Sequence, residues 1–244
     1  MDDAAVRFEI ETAPDNSGHR SRLRERALKG GVEALPDYEL LEILLFRCIP
    51  RRDVKPLAKK LLERFGSLSA ALSAPVEALL QVRTVDSQGR RLSLTSESAL
   101  DLRLLHEAAR RIGLEPLRKR CVISSWSALQ AYVRTTLAHE PRERFHVLFL
   151  DRKNQLIADE TLGQGTVDHA PVYPREVVRR ALELGSSALI LVHNHPSGDP
   201  TPSSADAEMT RQIVDAAKAL NITIHDHLVV GRDGTASLKA LGLM

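Results

Sequence analysis

Two histidines one residue apart, followed by an aspartate, are the part of this chain best suited to chemistry. His193 and His195 come directly after the apolar run at residues 188–192, which is short, rich in branched side chains and typical of a buried strand. Because residues i and i+2 of a strand share a face, both imidazoles can aim at one point beyond the strand end. A proline-rich loop leads to a predicted helix at residues 204–220, with Asp206 in its first turn. Two imidazoles, one carboxylate and an open fourth position are the ligand set of a catalytic zinc ion.

Ser203 and Asp206 also have a purely structural interpretation. Ser203 can cap the predicted helix, and Asp206 three residues later completes a Ser-x-x-Asp pattern that resembles a capping box. An acidic side chain in the first helical turn is favoured by the helix dipole as well. Because a carboxylate has two oxygen atoms, capping and metal binding are compatible. The sequence leaves both roles of Asp206 open.

The pattern His-x-His-Pro followed by Ser-x-x-Asp resembles the JAMM motif of the MPN superfamily of zinc metalloproteases. The run HNHPSGDPTPS at residues 193–203 resembles more narrowly the RadC family of bacterial proteins, and so do residues 173–178 and 226–231. The resemblance spans residues 122–244 and extends more weakly towards the N-terminus. It implies a zinc-dependent hydrolase of peptide or isopeptide bonds with one zinc ion per chain, whose ligands are His193, His195 and Asp206.

Such a site needs a general base that is not itself a ligand. In the superfamily this base is a glutamate between an early helix and the first strand of the domain, and Glu143 has the corresponding place here. Glu140 lies further out in the same loop, and Glu160 in the next predicted strand is the competing candidate. The resemblance also implies that Ser203 donates a hydrogen bond to the reacting oxygen.

A second group, His225-Asp226-His227, has the composition of another metal site. Strand alternation would place His225 and His227 on one face with Asp226 opposite, and we interpret the pair as hydrogen-bonding rather than ligating. A zinc deaminase is excluded, because that chemistry requires His-x-Glu followed by Pro-Cys-x-x-Cys. Residue 195 is a histidine, and no cysteine follows Cys121.

The elements that must position these residues alternate between helix and strand. Residues 122–244 predict the order helix, strand, strand, helix, strand, helix, strand, which indicates an α/β domain with a mixed sheet flanked by helices. The resemblance implies an MPN/JAMM-like, cytidine-deaminase-like fold for this domain. Residues 19–114 show helical patterns throughout and predict a small all-helical domain. Residues 115–121 are predicted to form a charged linker, and residues 1–18 a flexible arm.

The helical N-terminal segment resembles the region that precedes the MPN domain in RadC proteins. There, a Gly-x-Gly turn of a helix-hairpin-helix element offers backbone N–H groups to a DNA phosphate. The corresponding residues 83–91 are polar with Gly89 alone, so the element is degenerate. Arg83, Arg90 and Arg91 could still contact phosphates, although a solvated loop is the favoured interpretation. DNA is thus the alternative partner, with a structural or vestigial metal site, and a peptide or protein substrate is the expected one.

Composition sets limits on the class of protein. The 244 residues are 43% hydrophobic and 27% charged, with a net charge of only +2, so no strong overall field favours one kind of partner. Cys48 and Cys121 lack the spacing of metal ligands and suggest a reducing compartment. No segment has the apolar core of a signal peptide or the ~20 apolar residues of a membrane span. We therefore expect a cytoplasmic protein, with its oligomeric state left open.

Overall fold

The computed structural model describes residues 18–119, 121–122, 124, 126–164 and 172–244. The predicted flexible arm, apart from Gly18, lies outside the described residues. Packing divides the chain into two compact units. Of the described residues, those from 18 to 71 and from 75 to 101 form the N-terminal unit, and those from 72 to 74 and after 101 form the C-terminal unit.

The N-terminal unit is mainly helical, as predicted. Its helices are α1 (His19–Gly30), α2 (Asp37–Cys48), α3 (Lys55–Phe65), α4 (Leu68–Ser73) and α5 (Val76–Leu80), with a 3₁₀ turn at Val32–Ala34. At the start of α3, Asp53 Oδ1 accepts a hydrogen bond from the N–H of Lys55 at 3.1 Å. Gly66, in a left-handed conformation with φ of 85°, ends the same helix. The core of the unit includes the buried side chains Leu41, Leu45, Leu57 and Leu61.

A hairpin occupies the segment that the sequence predicted to be a solvated loop. Its strands, β1 (Arg83–Val85) and β2 (Arg91–Ser93), are antiparallel. The buried Asp86 carboxylate accepts hydrogen bonds from the side chains of Arg52 and Arg90 and from the N–H of Arg90. Burial opposes ionisation, but these hydrogen bonds lower the pKa of Asp86 to about 2. The stretch lacks an alternating apolar pattern, and its main ion pair joins residues 34 positions apart, so local sequence signals missed it.

Helix α6 (Ser96–Lys119) continues through most of the segment predicted to be a linker. Gly113 and Pro116 both favour an end to this helix, because glycine costs about 1 kcal/mol and proline about 3 kcal/mol inside a helix. Leu114 and Leu117 are nevertheless buried in the core of the C-terminal unit, and this apolar burial keeps the chain helical past Pro116. Residues 115–119 are therefore helical. None of the described helices is both long and apolar enough to cross a lipid bilayer.

The C-terminal unit contains a five-stranded mixed sheet, which confirms the predicted fold class. Its further elements are α7 (Trp126–Leu137), β3 (Arg144–Leu150), β4 (Leu156–Gln164), α8 (Pro174–Glu183), β5 (Ala188–Asn194), α9 (Ser204–Lys218), β6 (Thr223–Val230) and β7 (Thr235–Ser237). The strand order is β4-β3-β5-β6-β7. Only β5 and β6 are parallel, and the other neighbours are antiparallel. The short edge strand β7 was not predicted.

Helices cover both faces of this sheet. One face, which includes Leu148 and Val192, packs against α7 and the end of α6. The other face, which includes Phe145 and Leu191, packs against α8 and α9. Every residue of β5 is buried, which explains its continuous apolar run. His193 is paired with Phe145 and so lies on the face covered by α9.

Candidate metal centre

The side chains of His193, His195 and Asp206 converge on one point. The Nε2 atoms of the two histidines lie 3.0 Å apart. Asp206 Oδ1 is 3.3 Å from His193 Nε2, and Asp206 Oδ2 is 3.5 Å from His195 Nε2. Two ligand atoms about 2.0–2.1 Å from a tetrahedral zinc ion are about 3.3–3.4 Å apart, so these donor atoms have the spacing of a zinc ligand set. Within the described part of the chain, no other group of His, Cys, Asp or Glu side chains has this arrangement.

The cluster is buried on one side and accessible on the other. The side chain of His193 is fully buried, and that of Asp206 is 11% exposed. The side chain of His195 is 20% exposed, because it follows the last residue of β5. Among the three side chains, that of His195 is therefore the most accessible to a ligand.

The charges in the cluster suit a cation. Burial opposes ionisation of Asp206, but its contacts with the imidazoles of His193 and His195 and the hydrogen bond from Ser203 lower its pKa far below the usual range. The carboxylate is therefore ionised at neutral pH, as a metal ligand must be. The hydrogen bond with Asp206 raises the pKa of His195, and the charge of Glu143 adds to this effect.

The helix that carries Asp206 begins with a capping box, as the Ser-x-x-Asp pattern suggested. Asp206 N–H donates to Ser203 Oγ at 3.1 Å, while Ser203 N–H donates to Asp206 Oδ2 at 2.7 Å. The Ser203 hydroxyl also lies 2.7 Å from Asp206 Oδ2. The cap orients the carboxylate so that Oδ1 faces His193.

Backbone contacts hold the loop that carries His195. The backbone N–H of His195 donates to the carbonyl of Val230 at 2.9 Å, which extends the pairing of β5 with β6 by one residue. His195 Nδ1 lies 2.9 Å from the carbonyl of Asp199. A carbonyl can only accept, so Nδ1 carries the proton and Nε2 keeps its lone pair when the ring is neutral. The loop also approaches the β6–β7 turn so closely that a Cβ on Gly231 would lie 2.7 Å from the carbonyl carbon of Gly198.

Glu143 lies beside the cluster, and the two other glutamates are bound elsewhere. Glu143 comes two residues before Phe145, which pairs with His193 in the antiparallel β3–β5 register, and its charge raises the pKa of His195. Glu143 is half-buried directly before β3. Glu160, on strand β4, forms a bidentate ion pair in which Arg180 Nε and Nη2 donate to its two carboxylate oxygens at 2.7 and 2.6 Å. Glu140 pairs with an arginine at the start of β3 at 2.9 Å.

Asn194 anchors the segment that contains Glu143, a role that the sequence did not suggest. Its amide nitrogen donates to the carbonyls of Glu140 and Arg142, both at 3.2 Å. Its amide oxygen accepts from the N–H of Arg144 at 2.9 Å. The backbone before and after Glu143 is therefore held by three hydrogen bonds to the last residue of the strand that carries His193. Its place between the two histidines of the motif is the one local signal that could have indicated this role.

His225 and His227 do not share one regular face of β6, as strand alternation had predicted. The β5–β6 register shifts between Leu189 and Ile190, which leaves His225 in a bulge. His225 Nε2 lies 2.7 Å from Asn154 Oδ1, away from the cluster. His227 instead lies behind His193, with 2.8 Å between His227 Nε2 and His193 Nδ1.

Thr210 is a further contact of this cluster that the sequence analysis missed. Its hydroxyl lies 2.6 Å from His227 Nδ1 and donates to the carbonyl of Asp206 at 2.6 Å. Its position four residues after Asp206, on the same face of a helix, is the local signal that could have indicated it.

Comparison with known proteins gives matches over most of the chain. Residues 123–243 match the RadC-like JAB domain, and residues 16–88 match the UPF0758 N-terminal family. A UPF0758 protein of Ruegeria pomeroyi is 55% identical over 227 residues, which cover 93% of this chain and 97% of the relative. A UPF0758 protein of Rhodobacter capsulatus is 56% identical over 223 residues, which cover 91% of this chain and 100% of the relative.

These matches agree with the site geometry and with the HNHPSGDPTPS run. The similarity extends over nearly the full length of both relatives, and so includes the helical N-terminal unit as well as the sheet. The two family matches lie on either side of α6, in the order that the sequence predicted. The chain therefore belongs to the RadC family.

Proposed function

We propose that this protein is a zinc-dependent metallohydrolase of the JAMM type that cleaves a peptide or isopeptide bond. The observation that carries the proposal is the convergence of His193, His195 and Asp206 with the spacing of a tetrahedral ligand set. The match to a RadC-like JAB domain supports the same class of chemistry. Three ligands leave the fourth position open, which is typical of catalytic rather than structural zinc sites.

The neighbouring residues provide the remaining parts of such a mechanism. His193, His195 and Asp206 would hold a zinc ion, which would supply Lewis acidity towards a carbonyl group and lower the pKa of water to about 7. Glu143 takes the proton from the attacking water and delivers it to the leaving nitrogen. The Ser203 hydroxyl, at the entrance of α9, turns from Asp206 to donate a hydrogen bond to the developing oxyanion.

The structure gives less support to the alternative, a DNA-associated module with a structural metal. Arg52 and Arg90 are committed to Asp86, where they hold the hairpin together. The guanidinium groups of Arg52 and Arg90, both close to the β1–β2 hairpin, therefore have a structural role. The hairpin also has no Gly-x-Gly turn that would present N–H groups to a phosphate.

The first test is the zinc content of the purified chain after extensive dialysis, determined by elemental analysis. We expect about one zinc ion per chain in the wild type, in line with a three-ligand site. His195→Ala removes one ligand and is expected to lose the metal. A folded wild-type protein that neither contains zinc nor takes it up would overturn the proposal.

The second test separates the base from the ligands. Glu143→Gln keeps the shape of the side chain but cannot accept a proton, so we expect retained zinc and a loss of hydrolysis of about 10²–10⁴-fold on a screened peptide or isopeptide substrate. Glu160→Gln is the matched control and is expected to retain activity, because Glu160 pairs with Arg180. Loss of zinc in Glu143→Gln, or full activity, would contradict the role of Glu143.

A further inference from the structure

A chain of hydrogen bonds runs behind the candidate metal centre and returns to it. His193 Nδ1 lies 2.8 Å from His227 Nε2, and His227 Nδ1 lies 2.6 Å from Thr210 Oγ1. The Thr210 hydroxyl then donates to the backbone carbonyl of Asp206 at 2.6 Å. The chain links β5, β6 and α9, and it connects two of the three proposed ligands through buried atoms. Thr210, His193 and His227 are all fully buried.

Each hydrogen bond in this chain has only one consistent direction. The carbonyl of Asp206 has no proton, so the single hydroxyl proton of Thr210 points to it. Thr210 must then accept from His227, which places the proton of that ring on Nδ1. A neutral His227 ring therefore presents a lone pair at Nε2. His193 must donate from Nδ1, and its own lone pair lies on Nε2, the atom that faces Asp206 and His195.

The neutral form of His227 follows from its surroundings. The ring is fully buried, and its two nitrogens have Thr210 and His193 as hydrogen-bond partners, neither of which is a carboxylate. Burial without an anionic partner disfavours a charged imidazolium. The nearest acidic neighbour in sequence, Asp226, accepts the backbone N–H of His227 and the hydroxyl of Ser237 instead.

We propose that Thr210 and His227 are positioning residues that hold His193 with its lone pair on Nε2, directed at the metal centre before any ion binds. His195 is directed in the same way by the carbonyl of Asp199. Two imidazole lone pairs and a carboxylate then meet within 3.0–3.5 Å, an arrangement that favours the binding of a cation. The inference rests on the proposed function in one respect, namely that His193 is a ligand.

The tautomer of His193 is the direct test and needs no variant. Nitrogen-15 NMR of the full-length, zinc-free protein, labelled in its histidines, distinguishes a protonated Nδ1 from a protonated Nε2. We expect protonation at Nδ1 in both His193 and His227, and the same tautomers after zinc is added. A His193 ring protonated only at Nε2 in the zinc-free protein would overturn the inference.

Variants of Thr210 test whether the hydroxyl sets this direction. Thr210→Val removes the hydroxyl and keeps the shape of the side chain, so we expect a mixture of His193 tautomers and about 10–100-fold weaker zinc binding in competition with a chromophoric chelator. Thr210→Ser restores the hydroxyl and is expected to restore both readouts. Thr135→Val is the matched control, because the Thr135 hydroxyl also donates to a helix carbonyl four residues back, at 2.9 Å, but in α7 rather than α9.

The outcomes distinguish this inference from the proposed function. Wild-type zinc affinity and a single His193 tautomer in Thr210→Val would overturn the positioning role, whatever the enzyme does. Zinc binding without hydrolysis would remove the proposed function and leave the positioning role supported. A chain that binds no zinc would overturn the proposed function, and the tautomer measurement would still decide the direction of the hydrogen bonds.

Discussion

At the scale of single residues, Asp206 has the capping role that the sequence suggested and also the position that the proposed ligand role requires. Its Oδ2 atom closes the capping box with Ser203 at 2.7 Å, while Oδ1 faces His193 at 3.3 Å. The carboxylate is thus held at the start of α9 before any metal binds. Helix geometry and metal-site geometry depend on the same side chain, so substitutions here must be tested for both stability and zinc affinity.

Ser203→Ala is expected to destabilise the zinc-free protein by about 0.5–2 kcal/mol, because the helix loses its N-cap. Ser203→Asn supplies another good N-cap and should recover most of this loss. Urea unfolding in the presence of a chelator measures both variants. If Ser203 also serves the reacting oxygen, hydrolysis falls in Ser203→Ala beyond what stability explains. Unchanged stability in Ser203→Ala would show that the cap contributes little.

At the scale of elements, the candidate site lies between the end of β5 and the start of α9, and the loop that joins them packs against the β6–β7 turn. The end of β5 presents the histidines, and α9 presents the aspartate from the same side of the sheet. The loop between them lies against the β6–β7 turn, where Asp233 N–H donates to the carbonyl of Gly198 at 3.2 Å. The absence of a side chain at Gly231 makes this close approach possible.

Gly231→Ala tests this contact between the loop and the turn. The added Cβ would meet the carbonyl of Gly198 and come within 3.0 Å of Pro200 N, so the loop must move. We expect a destabilisation of about 1–3 kcal/mol, typical of overpacking, together with weaker zinc binding. Gly234→Ala is the control, because its Cβ would meet only Pro200 Cγ at 3.9 Å, an ordinary contact. Equal zinc affinity in the two variants would contradict the role of Gly231.

At the scale of the whole molecule, α6 contributes to the core of the C-terminal unit, although its last residues had the composition of a linker. Leu117 is fully buried with side chains of α7 and the sheet. Exposed residues of the same helix, such as Ile112 at 70% exposure, make no such contribution. The stability of the sheet that carries the metal centre therefore depends on residues before position 122, where the predicted domain began.

Leu117→Ala is expected to destabilise the C-terminal unit by about 2–5 kcal/mol, because it leaves a cavity in the core. Ile112→Ala is the control and should change stability by less than about 0.5 kcal/mol. Trp126 is the only tryptophan in the sequence and packs against the same core, so its fluorescence follows the unfolding of this unit. Equal midpoints for the two variants in urea would contradict the contribution of Leu117 to the core of this unit.

The sequence by itself determined the features that depend on local patterns. The strand before His193, the capped helix with Asp206, the mixed α/β order and the family resemblance all follow from residues close together along the chain. Even the three proposed ligands span only 14 positions, so strand alternation and helix capping were enough to predict that they meet.

Only the tertiary structure decided the contacts between distant segments. His227 and His193 are 34 positions apart, and their contact depends on the parallel pairing of β5 with β6 and on the bulge at His225. The hairpin held by Arg52 and Asp86, and the extension of α6 through Pro116, likewise depend on partners far away in sequence. Local propensity does not specify which segments become neighbours. Burial and pairing across the folded chain do, and they override weak local signals such as a glycine or a proline in a helix.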